Sequence, residues 1–362
     1  MPVREFVEAD IPQVTSLYWN YLSPRKGPFP PQLLSSFAEL YFSSPLFDCQ
    51  SPSFVYQDKS GEVVGFLGIT TRRMLLSEQL VRVGFGGNFV VHPKARSGLA
   101  APRLLGAYMS GNHDLLLSDS ANDISRHLLE RLGFQTIPAL NIHWARPLRP
   151  VHYAVHALSR GMRPSVSGPV RLAAKPLCLV ADSIAGRFLL PSHAEPALHG
   201  SELTVETLLH CLLEFGKDYP LRPEYRLESL RWLVSFMERN RKRGNLRRLV
   251  LRDDSQKIVG WYIYYADPGA VGEVVQIGGA PAAFRAIIQH LLNDAREHKV
   301  IALHGVADFR KIADFSDEGC FFTCRGGWAL AYSRRPELIE ILESGKVFLS
   351  RLDGEWCLDP ES

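Results

Sequence analysis

Long apolar runs are missing from this 362-residue sequence. None approaches the roughly 20 residues that a helix needs to cross a bilayer, so no membrane association is expected. The opening residues, MPVREFVEAD, lack a basic start followed by an apolar stretch, and the expected location is cytoplasmic. Excess charge is missing too: 41 basic residues face 38 acidic ones, and a net charge of +3 implies no nucleic acid by itself. Cysteine is sparse and scattered: Cys49, Cys178, Cys211, Cys320, Cys324 and Cys357 include one close pair, Cys320 and Cys324, and no second pair to match it. That pattern is not a zinc framework. It suits buried reduced thiols, and no metal is expected.

What is present describes a folded protein longer than one core usually grows, so two domains are expected. Val3 to Val7 reads as a short strand, and Asp10-Ile11-Pro12 opens a helix with Ile11, Val14, Leu17, Tyr18 and Tyr21 on one face. A second helix runs from about Pro31 to Phe42. Phe54 to Tyr56 and Val63 to Thr70, joined by Gln57 to Glu62, read as a hairpin. From Val83 to Phe134 the order is a buried strand, a basic glycine loop, a helix, the strand Leu115 to Ser118 and a helix that stops at Gly133. A strand, a glycine loop and a helix N-terminus in that order form an anion site, because the first N–H groups of a helix lack intrahelical acceptors. A surface turn with solvated Lys94 and Arg96 is the plainer reading of the same loop. The tract Phe85-Gly86-Gly87-Asn88 marks either close approach of a ligand or a β-bulge.

Two motifs carry a family resemblance. Val90-Val91-His92-Pro93-Lys94-Ala95-Arg96-Ser97-Gly98-Leu99-Ala100 is similar to a strand ending in V-H-P followed by a pyrophosphate loop of pattern [RQ]-x-x-G-x-[GA]. Asn122-Asp123-Ile124-Ser125, through Leu129, to Gly133-Phe134 is similar to a helix of pattern N-x-x-A-x-x-x-Y-x-x-x-G-F. Residues 1 to about 146 thereby resemble the Gcn5-related N-acetyltransferase (GNAT) superfamily. The chain departs from it in two ways. Ala95 stands where the loop usually carries Arg or Gln, with Arg96 one place later, and Leu129 stands where many members carry the tyrosine that protonates the departing thiolate.

The second half repeats the first. Phe54 to Phe66 aligns without a gap on Leu249 to Trp261, with Val55, Asp58, Ser60, Val64 and Gly65 recurring, and Val83 to Pro93 matches Val271 to Pro281 in length. After Pro281 no glycine opens a loop, so the second copy is degenerate. The expected fold is α/β: two tandem GNAT-like domains, each a mixed and mostly antiparallel sheet flanked by helices. They are expected over 1–146 and 201–362, with a proline-rich connection over 147–200. Within that connection Val151 to Leu158 reads as helical, and His152 and His156 are expected in packing or surface roles.

The resemblance implies an enzyme, an acyltransferase that moves an acyl group, taken as acetyl, from acetyl-CoA or another acyl-CoA to an amine or hydroxyl of a small molecule or sugar. It implies cofactor contacts at Phe89, Val90, Val91, Arg96, Ser97, Gly98, Leu99, Ala100, Ala101, Asn122 and Ser125. Asp119 and Asn88 are candidates for proton relay or acceptor positioning, and His127 for acid catalysis. A reaction driven chiefly by proximity, with solvent taking the protons, is the other mechanism. Two alternatives stay open: aminoacyl transfer from charged tRNA, and a non-catalytic acyl-CoA-binding protein. The basic run with Arg239, Arg241, Lys242 and Arg243 suits RNA, or else a helix C-terminus stopped at Gly244. Glu273 is a base if it faces a cleft, or a solvent-facing strand residue, with Gln276 on the same strand. Trp261 to Tyr265 read as core or as a cleft wall. Leu352 to Leu358 reads as a closing hairpin.

Overall fold

The computed structural model describes residues 3–23, 27–159, 198–239, 241–324 and 327–360. The chain forms two units, Met1–Asn141 with Gly216–Asn240 and Arg325–Ser362, and Ile142–Phe215 with Arg241–Cys324. Each is built on one sheet.

The first sheet contains β1 (Val3–Glu5), β2 (Phe54–Gln57), β3 (Val63–Leu76), β4 (Gln79–Val91), β5 (Leu115–Ala121), β6 (Gln135–Thr136), β9 (Leu221–Pro223) and β15 (Trp328–Ser333). Its order is β1-β2-β3-β4-β5-β15-β6, with β9 on β3. Among these pairings β4 and β5 run parallel. The helix Ile11–Tyr21 takes Pro12 in its first turn, where a missing N–H costs nothing, and buries Ile11, Val14, Leu17 and Tyr18. The helix Ala100–Met109 buries Ala100, Leu104, Leu105 and Tyr108, one stripe at helical spacing, and these pack with Leu67, Ile69, Leu116, Leu129 and Leu330.

The second sheet contains β7 (His143–Pro147), β8 (His199–Glu202), β10 (Asn245–Arg252), β11 (Ile258–Ala266), β12 (Val271–Gly279), β13 (Ala302–Val306) and β14 (Phe321–Thr323). Its order is β14-β7-β13-β12-β11-β10-β8, with β12 and β13 parallel. Trp261 to Tyr265 are buried, Tyr262 and Tyr264 in the core with Leu291, Leu292 and Phe315. The core reading of this aromatic run therefore holds.

The repeat extends to single hydrogen bonds. In the first hairpin Gln57 pairs with Val63 and Tyr56 with Gly65, bulging at Val64; in the second Arg252 pairs with Ile258 and Leu251 with Gly260, bulging at Val259. Asp58 Oδ1 accepts from Ser60 N, Ser60 Oγ and Glu62 N. Asp253 Oδ1 accepts from Ser255 N, Ser255 Oγ and Lys257 N in the same way. The shared Asp and Ser exist because an Asx-type turn closes both hairpins.

The units differ from the sequence-order division at 146 and 201. In the first sheet β15 lies between β5 and β6, and in the second β7 lies between β13 and β14. Each sheet is completed by a strand from the other half of the sequence, so residues 216–240 and 325–362 belong to the first unit. The helix expected within the connection is present as Pro150–Ser159, while 160–197, with Cys178, lies outside the described residues. The closing hairpin is not formed. Asp353 turns inward to accept from Ser350 N and Oγ, and Glu355–Leu358 winds into a 3-10 turn. A side chain with two local donors outcompetes a strand ladder here.

Candidate active site

The site begins where β4 and β5 part. They pair at Val83 with Leu115, Gly84 with Leu116 and Phe85 with Leu117, and then continue without pairing to each other. The backbone of β4 from Gly86 onward is therefore open on the side facing away from β3. At the last rungs the buried Tyr108 hydroxyl donates to Gly84 O at 2.7 Å and also lies 3.0 Å from Leu117 O, bridging the two strands. On its other side β4 bulges: Phe66 pairs with Val90 and Gly68 with Gly87, leaving Asn88 and Phe89 opposite Leu67. Asn88 takes φ +50°, a conformation that asparagine tolerates better than most residues. The bulge reading of the glycine tract thus holds, and the group that comes close to the bare backbone at Gly87 is one of the chain's own side chains.

That group is Glu355, which the sequence reading missed. Its Oε1 accepts from Ser118 Oγ at 3.0 Å, Asp119 N at 3.3 Å, Ser120 N at 3.1 Å and Ser120 Oγ at 2.7 Å, all on β5. Its Oε2 lies against β4, where a Cβ added to Gly87 would come within 2.3 Å of it. Asp119 answers by accepting from Glu355 N through Oδ1 at 3.1 Å, and a Cβ on Gly354 would meet Asp119 Oδ2 at 1.6 Å. Glycines at 87 and 354 are what allow the two carboxyls into this gap. Burial pushes both up, Asp119 to about 6 despite the backbone N–H groups it accepts from, and Glu355 to about 8 with the Asp119 charge adding to the shift. The two carboxyls interact and titrate as a pair, and burial favours the state in which one of them keeps its proton.

The other expected residues are dispersed. Asn88 Nδ2 donates to the buried Tyr41 hydroxyl at 2.7 Å, one residue from the Glu355 contact. His127 is exposed on the helix Asp123–Arg131, its Nδ1 3.5 Å from Glu130 Oε2 on the same helix. Asn122 caps that helix, accepting from Ser125 N at 2.9 Å. Leu129 is buried in the core and offers no acid. Phe89 is half-buried, and Val90 and Val91 are buried on the open part of β4. In the loop, Arg96 folds back, Nε donating to Val91 O at 3.1 Å. The N–H groups of Arg96 and Gly98 are used inside the loop, on Pro93 O and Ala95 O. Ser97 and Leu99 are exposed. The first helical bond runs from Arg103 N to Leu99 O, and no side chain caps this end. The N–H groups of Ala100 and Ala101 therefore precede the helix ladder, and Pro102 has none to offer.

In the second unit the three parallel rungs recur as Val271 with Ala302, Gly272 with Leu303 and Glu273 with His304. Glu273 lies 3.8 Å from His304 Nδ1, while Gln276 is buried and accepts from Trp261 Nε1 at 3.0 Å. The helix Phe284–Glu297 starts after the 3-10 turn Pro281–Ala283 without a glycine loop. Of the basic run, Arg239 pairs with Glu39 at 2.6 Å in the first unit, closing the helix Leu227–Arg239. Lys242 and Arg243 belong to a 3-10 turn before Gly244 at φ +99°, and the side chain of Arg241 lies outside the described part. Among the described residues no His, Cys, Asp and Glu group is arranged to hold a metal, and no helix is long and apolar enough to cross a membrane.

No family model and no curated protein matches the sequence. Solved structures do match the fold. An Enterococcus faecalis protein described as a probable N-acyltransferase aligns at TM-score 0.60 and 9% identity, covering 91% of this chain and 71% of that one. The chain has the GNAT fold, in tandem. An Anabaena variabilis GCN5-related N-acetyltransferase aligns at TM-score 0.59 and 10% identity, over 92% of this chain and 73% of that one. Saccharomyces cerevisiae N-myristoyltransferase with bound myristoyl-CoA aligns at TM-score 0.57 and 10% identity, over 92% and 79%. In this GNAT fold the parting of β4 from β5 belongs to the first copy together with the glycine loop, and the second copy repeats the parting alone.

Proposed function

We propose that the first unit is an acyl-CoA-dependent acyltransferase acting on an amine, with Glu355 and Asp119 carrying the protons. The observation that supports it best is the carboxyl pair held where β4 and β5 part, with Glu355 Oε1 on the N–H groups of β5 and Oε2 against Gly87 of β4. The edge of β4 from Gly87 to Val90 suits the amides of a pantetheine arm, which would pair with it as an added strand does. The N–H groups of Ala100 and Ala101 suit a phosphate, with a smaller contribution from Arg96 than its charge alone suggests, since its Nε is already on Val91 O.

In the reaction the amine nitrogen bonds to the thioester carbonyl carbon and the C–S bond breaks, giving an amide and free CoA thiol. The nitrogen's surplus proton passes to the carboxylate of the pair, and the proton already on the pair goes to the departing thiolate. Leu129 has no acid to give, so both transfers fall to the same pair. A backbone N–H in the Asn88–Phe89 bulge is the natural donor to the tetrahedral oxyanion. Fold likeness to N-myristoyltransferase with its bound myristoyl-CoA extends the donor candidates beyond acetyl-CoA to long acyl chains.

Calorimetric titration with acetyl-CoA, octanoyl-CoA and myristoyl-CoA tests the reading. We expect at least one to bind with a dissociation constant in the micromolar range typical of enzyme substrates. Failure of all three to bind would overturn it.

A further inference from the structure

Within the first unit a cavity of about 300 Å³ lies between β3, the loop Pro45 to Asp48, the helix Leu227–Arg239 with the residues before it, and the C-terminal segment from Leu349 to Asp353. Much of its wall is apolar, including Met74, Leu230 and Leu352, and it reaches Phe85, the last β4 residue paired with β5. Arg72 stands out on this wall. Its Nε donates to Asp353 O at 3.0 Å, which fixes the guanidinium, yet its Nη2 is buried with no hydrogen-bond partner. Its neighbours on the wall are matched: Arg73 pairs with Glu224, and Arg226 lies 3.6 Å from the same carboxylate. The Asp353 carboxyl is occupied elsewhere, accepting from the Tyr225 hydroxyl and from Ser350. Burial pushes the Asp353 carboxyl up, while the Tyr225 hydroxyl and the Arg72 charge oppose that shift.

A buried guanidinium N–H left without an acceptor is costly, and a carboxylate ligand meets it with charge-assisted hydrogen bonds. We propose that this cavity is the acceptor subsite and takes an apolar α-amino acid, its carboxylate on Arg72 and its amine directed towards Glu355. The proposal rests on the transferase reading and names the acceptor that reading leaves open. The chain ties the two groups together, since Arg72 Nε donates to Asp353 O and Glu355 follows two residues later. A phosphate dianion suits the cavity less, because Asp48, Glu224, Glu228 and Asp353 also line it. A carboxylate carried with its own ammonium has no net charge and meets less of that repulsion.

The test is calorimetry on the full chain without any acyl-CoA, using L-leucine and L-phenylalanine and, beside each, the corresponding amide. We expect an acid to bind about 10- to 100-fold tighter than its amide, the worth of the lost charged contacts. In Arg72→Gln the preference should vanish, and in Arg72→Lys, which keeps the charge but not the fork, it should be partly retained, both variants being checked by their thermal melts. Equal binding of acid and amide by the wild type, or binding of neither acid, overturns the proposal. A preference surviving in a folded Arg72→Gln does so too. Because no CoA is present, these outcomes stand apart from the acyl-CoA titration, whose failure would remove the transferase reading without touching carboxylate recognition.

Discussion

Glu355→Gln is expected to lower kcat for acyl transfer by roughly 10²- to 10⁴-fold, the usual worth of a positioned proton carrier. Glutamine keeps the shape, and its amide oxygen can still accept from Ser118, Asp119 N and Ser120, so the turn Glu355–Leu358 should stay in position. What it loses is the ability to hold or release a proton beside Gly87. The same variant carries a stability signature of known sign. The folded-state pKa of Glu355 is raised to about 8 from an ordinary 4.5. Folding is therefore penalised progressively as pH climbs from about 4.5 to about 8, where the buried carboxyl is forced to ionise, and is unpenalised below that window. Glutamine escapes this penalty. The melting temperature of Glu355→Gln relative to wild type should thus rise between pH 5 and pH 8.5. A difference that stays flat or falls over that range would mean the carboxyl is not held in its neutral form, and kcat within threefold of wild type would remove Glu355 from the chemistry.

Arg247→Ala is expected to destabilise the second unit by about 3 kcal/mol, the loss typical when one member of a buried ion pair is removed. Arg247 meets Asp294 in a two-point contact, Nε to Oδ2 at 2.9 Å and Nη2 to Oδ1 at 2.7 Å, and Asp294 is buried. Tyr264 also donates to Oδ2, so deleting the arginine leaves a buried carboxylate with that hydroxyl and, 3.7 Å from Oδ1, His298 Nδ1. Urea unfolding followed by fluorescence reads the change, with an expected fall in midpoint at unchanged slope. Arg247→Lys should recover only part of it, because an ammonium cannot reproduce the fork. A loss below 1 kcal/mol for Arg247→Ala would show that solvent, not the arginine, satisfies Asp294.

The contrast between these two sites explains what the sequence could reveal. The fold was legible because its signals are local: the Asp-x-Ser turns at Asp58 and Asp253, the helical stripe from Ala100 to Tyr108, and the strand lengths around Val83 and Val271 each depend on neighbours within a few residues. Asp119 stands out in the sequence for the same reason, following directly on a clear apolar strand. Glu355 does not, since its position depends on partners 235 to 237 residues away and on a strand β15 that leaves its own half of the chain. Read locally, Leu352 to Leu358 has the composition of a turn. The one distant hint was the tract Phe85-Gly86-Gly87, where absent side chains marked an approach but not by what. Asn122 and Arg96 show the opposite limit. Asn122 matches its motif in type and spacing and Arg96 matches in type one place late, yet one caps a helix through Ser125 N and the other returns to Val91 O. A motif specifies which residues are present; competing local acceptors decide where their hydrogen bonds go.

The central claim, that a coupled Asp119 and Glu355 pair in the gap between β4 and β5 moves the protons of acyl transfer, is tested most directly by the pH dependence of kcat. Thiol release from the acyl-CoA that binds in calorimetry would be followed from pH 5 to pH 10 with a saturating amine acceptor. The account predicts a bell, with limbs near 6 and near 8 where the pair loses its singly protonated state. A wild-type profile without limbs between pH 5 and pH 9 would contradict it.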